Sequence, residues 1–210
     1  MPSALIRTAA MCAAQPPAEP ASAPSPAETT KASNTEPRRL NGLGPVAGTG
    51  ARLLILGSFP SEASLRAQQY YAHPRNHFWP ILSAIWGLRG DQALSALPYD
   101  DRLPIVTAHG LAIWDVYAGC EREGSLDSAI RAAQLNDLVG LQRRLPTLRA
   151  IAHNGGESAR HMKLTQALGL PVHKLPSSSP ANASWSVERK VQAWREVFQA
   201  AGVVQPPCAR

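Results

Sequence analysis

Apolar residues along this chain group into short runs and into stripes of longer period. Four runs stand out: residues 52–57 (RLLILG), 110–116 (GLAIWDV), 148–153 (LRAIAH) and 172–175 (VHKL). Runs of this length suit strands buried on both faces of a parallel sheet. Between them the apolar positions return at helical spacing. Phe78, Ile81, Leu82 and Ile85 form one stripe, with Asn76 as its candidate cap. Residues 134–144 and 156–168 carry two more. The clearest is Val187, Val191, Trp194, Phe198 and Ala201, with Ser184 or Ser186 to cap it and Gly202 to stop it. Alternating strands and helices with short connections predict an α/β sandwich around a mostly parallel sheet.

The pattern is absent from the first 45 residues, which hold eight of the 19 prolines among Ala, Ser and Thr. Too little apolar bulk is present there to offset the entropy of ordering, so a disordered tail is expected over residues 1–45. The domain then occupies 46–204 and a short disordered end 205–210. The opening MPSALIRTAAMCAA has a weak basic end and an apolar stretch broken by Arg7 and Thr8, a poor targeting peptide. No apolar run approaches the roughly 18 residues of a membrane-spanning helix.

Charge and cysteine content narrow the chemistry. The 21 Lys and Arg against 15 Asp and Glu give a net charge of +6. Without the first 45 residues, 17 basic and 12 acidic residues remain, so the excess belongs to the domain. A modest positive balance eases approach to phosphate polymers, and equally serves plain solubility. Cys12, Cys120 and Cys208 are far apart in sequence, which disfavours a disulfide framework and a zinc or iron–sulfur site and fits a reducing compartment. The six histidines are scattered. His73 and His77 are four apart, but Pro74 between them breaks a shared helical face.

In open α/β sheets ligands bind beyond the carboxyl ends of the strands. Here those ends read Gly57-Ser58-Phe59-Pro60-Ser61, Trp114-Asp115, His153-Asn154-Gly155-Gly156 and Pro176-Ser177-Ser178-Ser179-Pro180-Ala181-Asn182. All are small, polar or rich in Gly and Pro, which concentrates candidate chemistry at one edge. Neither GxGxxG nor GxxxxGK[ST] occurs, which disfavours dinucleotide and NTP sites. No GxSxG elbow precedes Ser178, so a serine hydrolase stays a minor alternative. Residues 58–79 interleave Phe59, Tyr70, Tyr71, Phe78 and Trp79 with Arg66, His73, Arg75, Asn76 and His77. A helix with an aromatic core stripe is the plain reading. Two prolines and the basic side chains favour a nucleic-acid surface, where rings stack on bases and cations meet phosphates.

Taken in order, GSFPSEASL, YYAHPRNHFW, LAIWDVYAGCEREGSLDSAI, HNGG and LPSSSPANA resemble the uracil-DNA glycosylase superfamily, in its hypoxanthine (deoxyinosine) DNA glycosylase branch. The resemblance spans about residues 51–201. It implies a three-layer α/β/α sandwich around a four-stranded parallel sheet, with a pocket at the strand ends that receives a flipped base. It also implies hydrolysis of the N-glycosidic bond, leaving an abasic site in uncut DNA without metal or other cofactor. The partner would be double- or single-stranded DNA carrying a deaminated base, and the enzyme a monomer in the cytoplasm, associated with the nucleoid. No membrane would be involved.

The resemblance assigns the catalytic role to Asn76, because the first motif, GSFPS, lacks the carboxylate of the best-known uracil enzymes. Gly57, Ser58, Phe59, Pro60, Asp115 and Asn154 are candidates for the base pocket. Asp115 would accept from hypoxanthine N1–H when ionised, or else cap a turn; Phe59 would stack on the base, or else fill the core. Ser177, Ser178, Ser179 and Pro180 match the loop that pinches the DNA backbone, with Arg75 and His73 as further phosphate contacts. Arg66 and Asn182 are weaker candidates. His153 stands where related sequences carry Phe. Two other readings remain: a uracil or mismatch glycosylase of the same fold, and a DNA-binding relative without catalysis.

Overall fold

The computed structural model describes residues 39–204. In chain order the elements are β1 (Arg39–Asn41), β2 (Leu53–Gly57), α1 (Glu62–Ala67), α2 (Phe78–Trp86), α3 (Tyr99–Ala108), β3 (Leu111–Asp115), β4 (Tyr117–Glu121), β5 (Arg131–Leu135), α4 (Leu138–Arg143), β6 (Ala150–Asn154), α5 (Gly156–Ala159), α6 (Met162–Gln166), β7 (Val172–Leu175) and α7 (Val187–Ala200). The four apolar runs form one parallel sheet in the order β3-β2-β6-β7. Leu53–Gly57 is buried throughout because it lies between β3 and β6 and under helices. The whole is the α/β/α sandwich that the resemblance implies.

Helices α2 and α7 pack together through aromatic rings. Phe78 meets Trp194 edge to face at 5.8 Å, and Trp194 and Phe198 are fully buried. Such pairs add about 0.5–1.5 kcal/mol beyond the area they bury. Ser186 caps α7 by accepting from the Arg189 N–H. On that helix Val187 and Val191 are only half-buried, whereas Lys190 is completely buried. No apolar stripe predicts a lysine there.

A second, antiparallel sheet in the order β1-β4-β5 was not expected. Its strands are short, and β5 (RAAQL) is exposed along its whole length, so no hydrophobic alternation marks it. This sheet moves the domain boundary. Residues 39–41 pair with Gly119–Glu121, Leu40 packs against the core, and the Leu43 carbonyl accepts from the Trp114 indole. Residues 39–45 therefore belong to the folded unit and not to the tail. The rest of the tail and the C-terminal end lie outside the described residues.

Two predicted helices are shortened. Residues 134–135 end β5, so only Leu138–Arg143 is helical in the 134–144 stripe. The 156–168 stripe divides into α5 and α6. At the start of α2 the cap residue is His77, while the Asn76 Oδ1 accepts from the Phe78 N–H at 2.9 Å.

Candidate active site

The carboxyl ends of β2, β3 and β6, the loop after β7 and the aromatic segment before α2 meet at one place. Register sets Gly57 opposite Asp115. A Cβ at Gly57 would run into the Asp115 Oδ1 and lie 3.3 Å from the Tyr71 hydroxyl. Glycine is required here for space. Asp115 is 3% exposed, and its Oδ2 has no hydrogen-bond partner. Burial, reinforced by the charge of Asp127 and opposed by Arg122, pushes its carboxyl up to about 7. A group in this state takes or gives a proton near neutrality, a property concentrated at functional sites.

The crowding gives a direct prediction. Gly57→Ala is expected to destabilise the protein by about 1–3 kcal/mol, the range for overpacking. In an Asp115→Ala background the penalty should shrink, because the colliding oxygen is gone. Denaturant titration of the two single variants and the double variant measures the coupling; simple additivity would contradict the close approach.

Before α2, Pro74 occupies the second position of a turn, His73 to Asn76, closed by the Asn76 N–H donating to the His73 carbonyl at 2.8 Å. The Arg75 N–H donates to His73 Nδ1, and Arg75 is exposed. Asn76 is half-buried at the end of this turn. Its bond to Phe78 fixes the amide plane while leaving the oxygen a second lone pair and the amide its N–H donors. Tyr71 sits with φ at +54°, a left-handed backbone that costs a non-glycine residue energy. Its ring stacks on Phe78 with centroids 3.8 Å apart.

Asn154 ties these parts together. Its Nδ2 donates to the Tyr71 hydroxyl at 3.2 Å and to the Ser178 Oγ at 2.9 Å, and its Oδ1 accepts from the Ser178 N–H at 2.9 Å. The His77 N–H donates to the Ser178 carbonyl. Asn154 thus braces the serine loop against the aromatic segment, with its amide largely engaged within the chain. Ser178 is buried. Ser177 and Ser179 are half-buried and hold the loop's own N–H groups: Ser177 Oγ accepts from Ser179 and Ser179 Oγ from Ala181. Pro180 is half-buried beside them, and Asn182 donates back to the Ser177 carbonyl.

The Gly57–Ser61 turn is wrapped by residues 122–127. Ser58 Oγ donates to Asp127 Oδ1 at 2.6 Å, the Glu62 N–H donates to Ser125, and Arg122 donates to the Pro60 carbonyl. Phe59 and Pro60 are buried, and the Arg122 guanidinium lies 5.0 Å from the centre of the Phe59 ring. Arg122 is itself buried, with Nε and Nη1 unpartnered.

Some sequence-selected residues fall elsewhere. Arg66 is exposed on α1. His153 is not a pocket wall: it is fully buried between Ser158 and Thr165, 2.8 Å from each hydroxyl, and burial lowers it to about 4. Conversely, the structure adds Tyr71, Arg122, Asp127 and Lys190 to the neighbourhood. Tyr71 carried a signal in sequence as part of the aromatic and basic segment, and Arg122 and Asp127 lie within the motif at residues 111–130 without being singled out there.

Comparison with known proteins agrees with this arrangement. Residues 45–199 match the Uracil DNA glycosylase superfamily. A hypoxanthine DNA glycosylase of Methanosarcina acetivorans is 37% identical over 147 residues, covering 70% of this chain and 90% of that protein. Another, of Methanosarcina barkeri, is 34% identical over 158 residues, covering 75% and 97%. A solution NMR structure of a Methanosarcina acetivorans protein, provisionally assigned as a uracil DNA glycosylase, superposes with a TM-score of 0.69 at 34% identity, covering 79% of this chain and 99% of that one. The chain belongs to the uracil DNA glycosylase superfamily, and DNA glycosylase activity is the function this membership supports.

Proposed function

We propose that the protein excises hypoxanthine from deoxyinosine in DNA by hydrolysing the N-glycosidic bond. The observation that carries this reading is the Asn154 brace. It ties the serine loop to Tyr71, which lies beside Gly57 and Asp115, while the same loop accepts from the His77 N–H next to Asn76; the relatives carrying hypoxanthine in their names are 34–37% identical to this chain.

A water oxygen attacks C1′ of the flipped nucleotide, and the C1′–N9 bond breaks with its electron pair passing to the base. The water's proton is lost to solvent, and the base takes up a proton on release. Asn76 is neutral and places the water by accepting from it at the free lone pair of Oδ1. The cationic sugar is stabilised by the DNA phosphates. Asp115, ionised, accepts from the base N1–H. Ser177, Ser179 and Pro180 face the DNA backbone on the loop that Asn154 holds, and His73 and Arg75 meet phosphates at the turn.

The experiment offers labelled duplexes with one deoxyinosine, one deoxyuridine or normal bases only, and reveals abasic sites with alkali. Cleavage at deoxyinosine above deoxyuridine is expected. Cleavage at deoxyuridine alone would move the specificity to uracil. DNA binding without cleavage of either would identify a catalytically inactive relative.

A further inference from the structure

The completely buried lysine on α7 has no part in the chemistry above. Lys190 is 0% exposed, and no carboxylate pairs with it among the described residues. Its Nζ donates to the Asn182 carbonyl at 3.0 Å and lies 3.4 Å from His77 Nδ1. An unpaired ammonium sealed in a protein carries a desolvation cost that an apolar side chain of similar length avoids. Burial accordingly lowers the pKa of Lys190, and burial together with the lysine lowers that of His77.

The contacts have a direction. An ammonium has only hydrogens to offer, so His77 Nδ1 is the acceptor and the ring proton sits on Nε2. His77 is half-buried, next to Asn76, and its backbone N–H is bonded to Ser178. The residue whose backbone joins the Asn76 turn to the serine loop therefore carries a polarised ring N–H, on the side away from the lysine's charge. The ammonium lies 3.4 Å from the ring, close enough for its charge to polarise the N–H on the far side.

Resting on the glycosylase reading, we propose that Lys190 is a positioning residue that orients His77 as a donor to a DNA backbone phosphate beside the flipped nucleotide. His77 makes the contact and Lys190 supplies the charge. The cost of burying the lysine is then offset when DNA arrives.

The test uses the full chain, a deoxyinosine duplex, and the variants Lys190→Met and His77→Phe. Binding is titrated over a range of salt, melting is recorded without DNA, and base release is followed in the same samples. Lys190→Met should melt at or above the wild-type temperature yet bind about tenfold more weakly, the loss of one charge-assisted hydrogen bond. Its plot of log affinity against log salt should be shallower by about one, as for a lost phosphate contact. His77→Phe should show the same change of slope. Wild-type slopes in both variants would overturn the proposal. So would a lowered melting temperature with an unchanged slope, which marks a purely structural lysine. Should Lys190→Met fail to fold, His77→Phe decides by the same slope. A wild type that binds but releases no base refutes the glycosylase reading, while the slope comparison still judges the phosphate contact.

Discussion

Asn76→Ala is expected to lower the single-turnover rate of base excision by about 10²–10³-fold, the scale seen when one preorganised polar group is removed from a transition state. Affinity for the deoxyinosine duplex should change by less than about threefold, since water placement is not a DNA contact. The structural cost is small and separable. The variant loses one hydrogen bond, from the Phe78 N–H at the start of α2 to Asn76 Oδ1, worth about 1 kcal/mol as for a helix cap. The turn itself is closed by the Asn76 backbone N–H, which alanine retains. Asn76→Asp keeps an acceptor oxygen and should retain more activity than alanine. Equal losses of rate and affinity in Asn76→Ala would instead make Asn76 a binding residue.

The second large effect concerns Asp115. Its carboxyl is raised from 3.8 to about 7, chiefly by burial. Between those values the folded protein holds a proton that the unfolded chain has released. Stability from this group is therefore fully present below about pH 4 and is lost as pH rises through about 7. Asp115→Asn carries no such dependence. Its stability relative to wild type should rise across that window, by an amount on the order of 4 kcal/mol. Activity should move in the opposite sense. The carboxylate is the form that accepts from the base N1–H, so wild-type kcat/KM should climb with pH up to about 7 and then level. Asp115→Asn should be flat with pH and about 10–100-fold slower at pH 8, as expected for losing a hydrogen bond to a charged group. Denaturant titrations and rate profiles from pH 5 to 8.5 measure both. A wild-type rate that falls through pH 7 would show that the protonated acid is the working form.

The parallel sheet was legible because β2, β3 and β6 are buried along their whole length, which leaves a continuous apolar record in Leu53–Gly57 and Leu111–Asp115. The strand-end rule then pointed to the candidate site without any knowledge of side-chain contacts. The antiparallel sheet left no such record: Arg131–Leu135 is exposed, and Arg39–Asn41 is only three residues long. The roles of individual site residues were less legible because they depend on pairings distant in sequence. Asn154 reads as a polar residue after a strand, yet its partners are Tyr71 and Ser178, 83 and 24 positions away. Lys190 looks like a solvated position on an amphipathic helix, and only the packing of α7 beside the His77 turn buries it. Phe59 was open between stacking and core; the structure buries it under Arg122, a residue with no signal of its own in sequence.

The central claim is tested most directly by incubating the full chain with a duplex holding one deoxyinosine and weighing the products. The account predicts free hypoxanthine together with an uncut strand lighter by the mass of that base less one water, formed by wild type and barely formed by Asn76→Ala. Folded, DNA-bound wild-type protein that releases no hypoxanthine would contradict it.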